Sequence, residues 1–268
     1  MVIRKGFYNE NDVSEKMRVP EISIITPSYN SAEYLEETIQ SVLRQTFQDW
    51  EWLITDDQSQ DLSVEIIKKY DDPRIKLLVL GKNSGAGEAR NNALSRAEGR
   101  FITFLDSDDY WEPEFLEKML NFIKENKAEL AYSSYARCDE NLMPILKDFE
   151  ADTEVDFDNL LRTCRLSLLS SMYDSQRVGK FFFPKNSKRE DHVMWLNLLK
   201  RIPKGLPLKE TLAKYRMRKG SISRDKKSIV KDQFLVYYDF MGFSFIKSVY
   251  YTGLWAINGF LKYSKIFN

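Results

Sequence analysis

Between Glu21 and Asp109 the chain alternates four β-branched, apolar runs with three segments whose apolar residues recur at helical spacing, and nothing else in the sequence limits its folds so sharply. Glu21-Ile22-Ser23-Ile24-Ile25-Thr26 reads as a strand stopped at Pro27-Ser28-Tyr29-Asn30. Ser31 then stands where a helix cap belongs. In the AEYLEETIQSVLRQTF that follows, Tyr34, Leu35, Thr38, Ile39, Val42 and Leu43 share one face. Glu51-Trp52-Leu53-Ile54-Thr55 returns as a strand ending in Asp56-Asp57. Leu62 to Tyr70 predicts a second helix, Ile75 to Val79 a third strand, Ala86 to Ala97 a third helix and Phe101 to Leu105 a fourth strand. Such alternation predicts an α/β fold with a mostly parallel central sheet and right-handed crossovers. In open sheets of that kind, ligands sit beyond the carboxyl ends of the strands.

Three of those ends are polar or acidic: Thr26 to Asn30, Asp56-Asp57, and Asp106-Ser107-Asp108-Asp109. The last packs three carboxylates into four positions, which repel unless a cation, hydrogen-bond donors or water neutralise them. A hard divalent ion such as Mg²⁺ or Mn²⁺, held by one or two carboxylates and completed by phosphate oxygens, answers that need. The alternative is a solvated turn whose acids cap the helix that Pro113 starts, and Asp109 in particular is expected to do so. Independent caps have no reason to gather on one rim of a sheet, which favours a ligand site.

Beyond Met119 the pattern predicts a helix through Phe122 and Ile123, a strand at Glu129 to Tyr132, an edge segment before Asp148 and a helix from Phe157 to Leu166. Ser187-Lys188-Arg189-Glu190-Asp191-His192 then precedes the apolar helical run Val193 to Leu199. With 268 residues, 43% of them hydrophobic, the chain can bury one large core or two small ones. It has no apolar stretch of 18 residues and its first residues are polar, which predicts a cytoplasmic protein that spans no membrane. Cys138 and Cys164 have no metal-site spacing, and His192, the single histidine, cannot build a His-based zinc site. A net charge of zero conceals an asymmetry: from Gln176 to Lys231 there are 17 Lys and Arg against four acids, about +13, balanced by about −13 elsewhere. The C-terminal part therefore suits anionic partners, phosphates or a lipid surface. Without a recognition motif and with a pI near 6.7, a nucleic acid is not expected.

Four motifs stand in a fixed order: SIITPSYN (23–30), ITDDQSQD (54–61), NSGAGEARNNAL with AEGRFITFLDSDD (83–109), and RED (189–191). Through them the chain resembles the family 2 glycosyltransferases of the GT-A fold, from about Ile22 to Ser223. The resemblance implies an inverting, metal-dependent transfer of a sugar from a nucleotide-diphosphate donor, UDP-linked by expectation. It assigns Pro27, Tyr29 and Asn30 to the nucleotide pocket and Asp57 to the uracil ring N–H. Arg90 falls near the sugar or diphosphate, with a surface salt bridge as its other role. Asp106 matches the first Asp of the DxD motif, toward the ribose or the metal shell, and Asp108 the direct ligand of Mn²⁺ or Mg²⁺. Asp191, second acid of the ED pair, matches the base that takes the proton of the acceptor hydroxyl. The other role for Glu190 and Asp191 is to favour a helix N-terminus electrostatically. The implied division is a polar tail (1–20), the transferase domain (21–225, with a nucleotide-sugar half 21–125 and an acceptor half 126–225), and an aromatic, basic helical tail (226–268).

Two positions depart from the family pattern. Gln58 stands where Gly usually follows the two acids of the second motif. In Ala213-Lys214-Tyr215-Arg216-Met217-Arg218-Lys219-Gly220-Ser221-Ile222-Ser223, Arg218 replaces the usual His of YRxHxxSxS; a cation there can still close over a diphosphate, but metal ligation through imidazole is lost. The tail from Phe234 to Asn268 mixes aromatic and aliphatic residues with Lys247, Lys262 and Lys265. It suits a membrane interface, a helix packed back on the domain or a dimer contact. The membrane reading goes with an acceptor saccharide on a polyprenyl diphosphate at the inner face of a bacterial membrane. Two competing functions share the alternating sheet. A sugar nucleotidyltransferase usually opens with a Gly-rich phosphate loop, where this chain has PSYN, and a non-catalytic nucleotide-sugar-binding or scaffold protein would not need both the DxD pair and Asp191.

Overall fold

The computed structural model describes residues 19–218 and 226–264, except the side chains of 226–228 and 260–264. The polar stretch 1–18 and the Ser221 to Ser223 end of the last motif lie outside the described residues. Strand β1 (Ile22–Ser28) is fully buried and pairs in parallel with β2 (Trp50–Asp56) on one side and β4 (Phe101–Phe104) on the other; β3 (Ile75–Val79) extends β2. Their crossovers are α1 (Ala32–Leu43), α2 (Ser63–Lys68) and α3 (Ala86–Arg96). Pro27, expected to stop β1, lies inside it opposite Thr55, so the strand carries its polar end further toward the rim.

The second half extends the same sheet. β4 continues antiparallel into β8 (Ser171–Asp174), β8 into β6 (Leu130–Cys138), and β6 in parallel into β9 (Leu206–Arg216). The two-residue strand β5 (Tyr110–Trp111) pairs with β9, and β7 (Pro144–Phe149) edges β6. The order is β3-β2-β1-β4-β8-β6-β9-β5, the GT-A arrangement of an α/β sheet flanked by helices. The remaining helices are α4 (Phe115–Asn126), α5 (Phe157–Arg162), α6 (Ser175–Val178), α7 (Glu190–Leu199), α8 (Lys226–Leu235) and α9 (Phe245–Ser264), with a π-helical turn at Val236–Phe240.

One core lies between the sheet and the helices around Trp195, and it includes Phe104, Leu161, Val193 and, from the tail, Val236 and Tyr237. The other packs α1 and α4 on the opposite face through Leu35, Ile39, Trp52, Trp111, Phe115 and Met119. At Gly99 an added Cβ would lie 2.5 Å from the Ser23 amide nitrogen, so only glycine lets the turn before β4 close on β1. Ser31 does occupy the position before α1, yet its hydroxyl caps nothing. The Asp61 carboxylate accepts from the Ala32 amide (3.0 Å) instead, and Ser31 turns toward Ser107.

Candidate active site

The acidic turn after β4 is built from α1 and β1 as much as from its own residues. The Ser31 and Ser107 hydroxyls are 2.6 Å apart, and the buried Thr38 hydroxyl donates to the Asp109 carbonyl (2.8 Å). The Thr26 hydroxyl donates to the Leu105 carbonyl (2.6 Å) and accepts from the Trp52 indole N–H (2.8 Å). These hydroxyls explain why an α1 face that reads as apolar contains Thr38.

Each carboxylate of the turn meets an arginine. Arg90 Nη2 lies 2.6 Å from Asp106, Arg218 Nε lies 2.7 Å from Asp108, and the Arg216 amide donates to Asp109 (2.9 Å). Arg216 Nε also donates to the Asp108 carbonyl (2.7 Å), and its guanidinium pairs with Glu37 (2.6 Å). Tyr34 lies beneath both Arg216 and Arg218, 4.7 and 5.5 Å from its ring centre. Asp109 therefore does not cap the helix: α4 starts at Phe115 behind Glu114, because β5 intervenes and hands the Asp109 carboxylate to β9. Burial, then the charge of Asp106, raises the pKa of Asp108. Burial, then Asp108 and Asp106, pushes Asp109 well above the ordinary carboxylate range.

Arg90 reaches further. Its Nη1 lies 3.0 Å from Glu190, so one buried guanidinium, 8% exposed, joins the acidic turn to the first residue of α7. Burial works against that charge, but Asp106, Glu190 and Asp191 outweigh it and raise its pKa. Burial raises Glu190, with Arg90 opposing. Gly87 makes the approach possible: a Cβ there would sit 2.9 Å from the Glu190 carboxylate. Asp191, half-buried on the next position of α7, has a carboxylate with no hydrogen bond or ion pair to another described residue. His192 is turned into the core, hydrogen-bonded to the Leu160 carbonyl (3.0 Å) and held neutral by burial, its pKa pushed down to about 4.

The other predicted residues occupy the β1–β2 end of the rim. Tyr29 is half exposed; Asn30, at φ 46°, accepts from the Gln60 amide (2.8 Å). Asp57 is buried and accepts from the Ser84 and Gly85 amides (both 2.7 Å), tying the tip of β2 to the loop that starts α3. Gln58 adopts φ 66°, a left-handed conformation that explains why glycine is usual there. Its side chain bonds the Gly81 carbonyl and the Asn83 amide (both 3.2 Å). Sequence reasoning placed the acids but missed Arg216, Glu37 and the bridging position of Glu190. Arg216 stood beside Arg218 in the last motif, whereas nothing in the sequence pointed to Glu37.

The donor set suits a hard cation: it offers carboxylate oxygens and neither thiolate nor imidazole. Among the described residues no group of three or more acids, histidines or cysteines gathers as a closed metal cage. Asp108 and Asp106 are the residues that would hold such an ion, their oxygens being of the kind that fits it.

Residues 23–173 match the family model described as Glycosyl transferase family 2. The chain belongs to glycosyltransferase family 2. It is a glycosyltransferase, which sets aside the nucleotidyltransferase alternative. Among family members, it is 35% identical to an Escherichia coli protein named UDP-Glc:alpha-D-GlcNAc-diphosphoundecaprenol beta-1,3-glucosyltransferase WfgD, over 91% of this chain and 95% of that one. It is 36% identical to Bacillus subtilis TuaG, a glycosyltransferase provisionally named for teichuronic acid biosynthesis, over 91% and 97%. Its fold matches S. aureus TarS in complex with UDP-GlcNAc at a TM-score of 0.69, with 24% identity over 85% of this chain and 69% of that one.

Proposed function

We propose that this family 2 enzyme is an inverting, metal-dependent glycosyltransferase of cell-surface polysaccharide synthesis. It moves a sugar from a UDP-linked donor to a saccharide carried on a polyprenyl diphosphate at the inner face of the membrane. The observation that carries this reading is the Arg90 bridge, which draws the α7 start bearing Asp191 against the turn bearing Asp106 and Asp108. Donor-side and acceptor-side groups thereby share one rim: residues 21–125 supply the donor side, joined by Arg218, and 126–225 supply the acceptor side. The printed names of WfgD and of the TarS complex support the UDP donor, and that of WfgD supports the lipid-linked acceptor.

In this reading Pro27, Tyr29, Asn30 and Asp57 hold the nucleotide, Arg90 and Arg218 face the diphosphate, and Asp108 with Asp106 would hold Mn²⁺ or Mg²⁺. When bound, the cation offsets charge developing on the leaving nucleotide diphosphate. Asp191, free of competing partners among the described residues, accepts the proton of the acceptor hydroxyl as that oxygen attacks the anomeric carbon from the face opposite the leaving group. Configuration inverts in that single displacement. Glu190, paired with Arg90, is not the base.

Asp191→Asn is expected to lower kcat by about 10²- to 10⁴-fold while leaving donor affinity unchanged. Asp108→Ala is expected to weaken donor binding in the presence of Mn²⁺. Turnover by Asp191→Asn at the wild-type rate would overturn the assignment of the base.

A further inference from the structure

We infer that the outer face of α9 is a docking surface for an anionic lipid bilayer, lying in the interface plane. Helix α9 carries apolar residues on both faces: Tyr251 packs against the core, and the side turned away from it is apolar as well. Its buried positions include Ser248 (0% exposed) and Thr252 (8%), whereas Ile246 (82%), Val249 (50%), Tyr250 (58%) and Ile257 (59%) face outward. Those four fall on one stripe at helical spacing, and Phe245 (65%) extends it toward the start of the helix. A helix facing only water has no reason to turn isoleucines outward.

The charge pattern selects the occupant. From Phe240 to Asn268 the sequence contains no Asp or Glu, while it contains Lys247, Lys262 and Lys265. A second copy in a two-fold pairing would bring together two faces that carry the exposed Lys247 and no carboxylate, whereas an anionic headgroup layer attracts that charge. Among the described residues no helix is long and apolar enough to cross a membrane, so the surface lies on the bilayer and does not span it. Tyr250 adds an amphipathic ring of the kind that settles at headgroup depth.

The opposite, domain-facing side of α9 reaches the active site. Trp255 of α9 stacks under Arg189, whose guanidinium lies 5.3 Å from the ring centre, and Arg189 immediately precedes Glu190 and Asp191. Asn258 donates to the Arg162 carbonyl (3.1 Å), joining the helix to α5 as well. A bilayer seated on α9 thus holds the start of α7 near the membrane surface. That consequence rests on the proposed lipid-linked acceptor; the docking surface itself does not.

The test is cosedimentation of the full chain with phosphatidylcholine vesicles containing one-quarter phosphatidylglycerol, compared with pure phosphatidylcholine. Wild type is expected to bind the anionic vesicles, with affinity falling as salt rises. Ile246→Glu with Ile257→Glu, both at exposed positions, is expected to reduce partitioning by about tenfold or more while leaving UDP-sugar hydrolysis and the melting temperature unchanged. Equal partitioning of the two proteins would overturn the proposal. So would a wild-type dimer in light scattering that the double substitution dissociates without any vesicle binding. Vesicle binding without hydrolysis of any UDP-sugar would uphold the surface and count against the proposed function alone.

Discussion

Arg90 is where the acidic turn after β4 meets the start of α7, and its charge holds two acids that would otherwise face each other partly buried. Arg90→Ala is expected to cost about 3 kcal/mol, because removing one member of a buried ion pair strands its partners; the measurement is the shift in thermal unfolding. Arg218 raises a different question, since it pairs with the carboxylate assigned to the cation. Removing it frees Asp108, so Arg218→Ala is expected to bind Mn²⁺ about fivefold more tightly without donor, as read from the free-Mn²⁺ electron paramagnetic resonance signal. Asp109 carries a pH signature. Burial, then Asp108 and Asp106, raises its folded pKa above the unfolded one. The folded state therefore favours its protonated form, and the stability gained below the unfolded pKa is lost as pH rises through the folded pKa. Asp109→Asn keeps an oxygen for the Arg216 amide and removes the buried charge. It is expected to raise the melting temperature at pH 8 and to leave it unchanged well below the unfolded pKa.

At the scale of elements, the site depends on how closely α3 can approach the start of α7. Gly87 sets that distance, because a methyl group would meet the end of a flexible glutamate side chain. Gly87→Ala is thus expected to displace Glu190 from Arg90, lowering kcat several-fold with less than about 1 kcal/mol lost in stability. The loop between β3 and α3 depends similarly on Gln58, whose left-handed backbone costs on the order of 1 kcal/mol while its side chain holds the loop at both Gly81 and Asn83. Gln58→Gly exchanges one effect for the other. Global stability should change little, and hydrogen exchange at the Ser84 and Gly85 amides, which Asp57 accepts, should quicken.

Across the whole molecule, the strands of the first half were legible because parallel, doubly covered strands are continuous apolar runs: β3 falls where its pattern predicts, and β1, β2 and β4 within a few residues. The second half was harder to read. β8 and β9 were not foreseen, since their partners, β4 with β8 and β6 with β9, lie far away in sequence and no local periodicity announces them. The acidic rim was legible because three strand ends carried it, but its neutralisation was not. Three closely spaced carboxylates called for positive charge, and the sequence could not say that Arg90, Arg216 and Arg218 would deliver it from α3, from the end of β9 and from just beyond it. What the chain determined by itself was therefore its alternating architecture and the identity of its acids, both properties of neighbouring residues. Which cation faces which acid, and which face of α9 is left to the surroundings, was decided only when distant segments packed, because those pairings depend on distances through space that sequence separation does not encode.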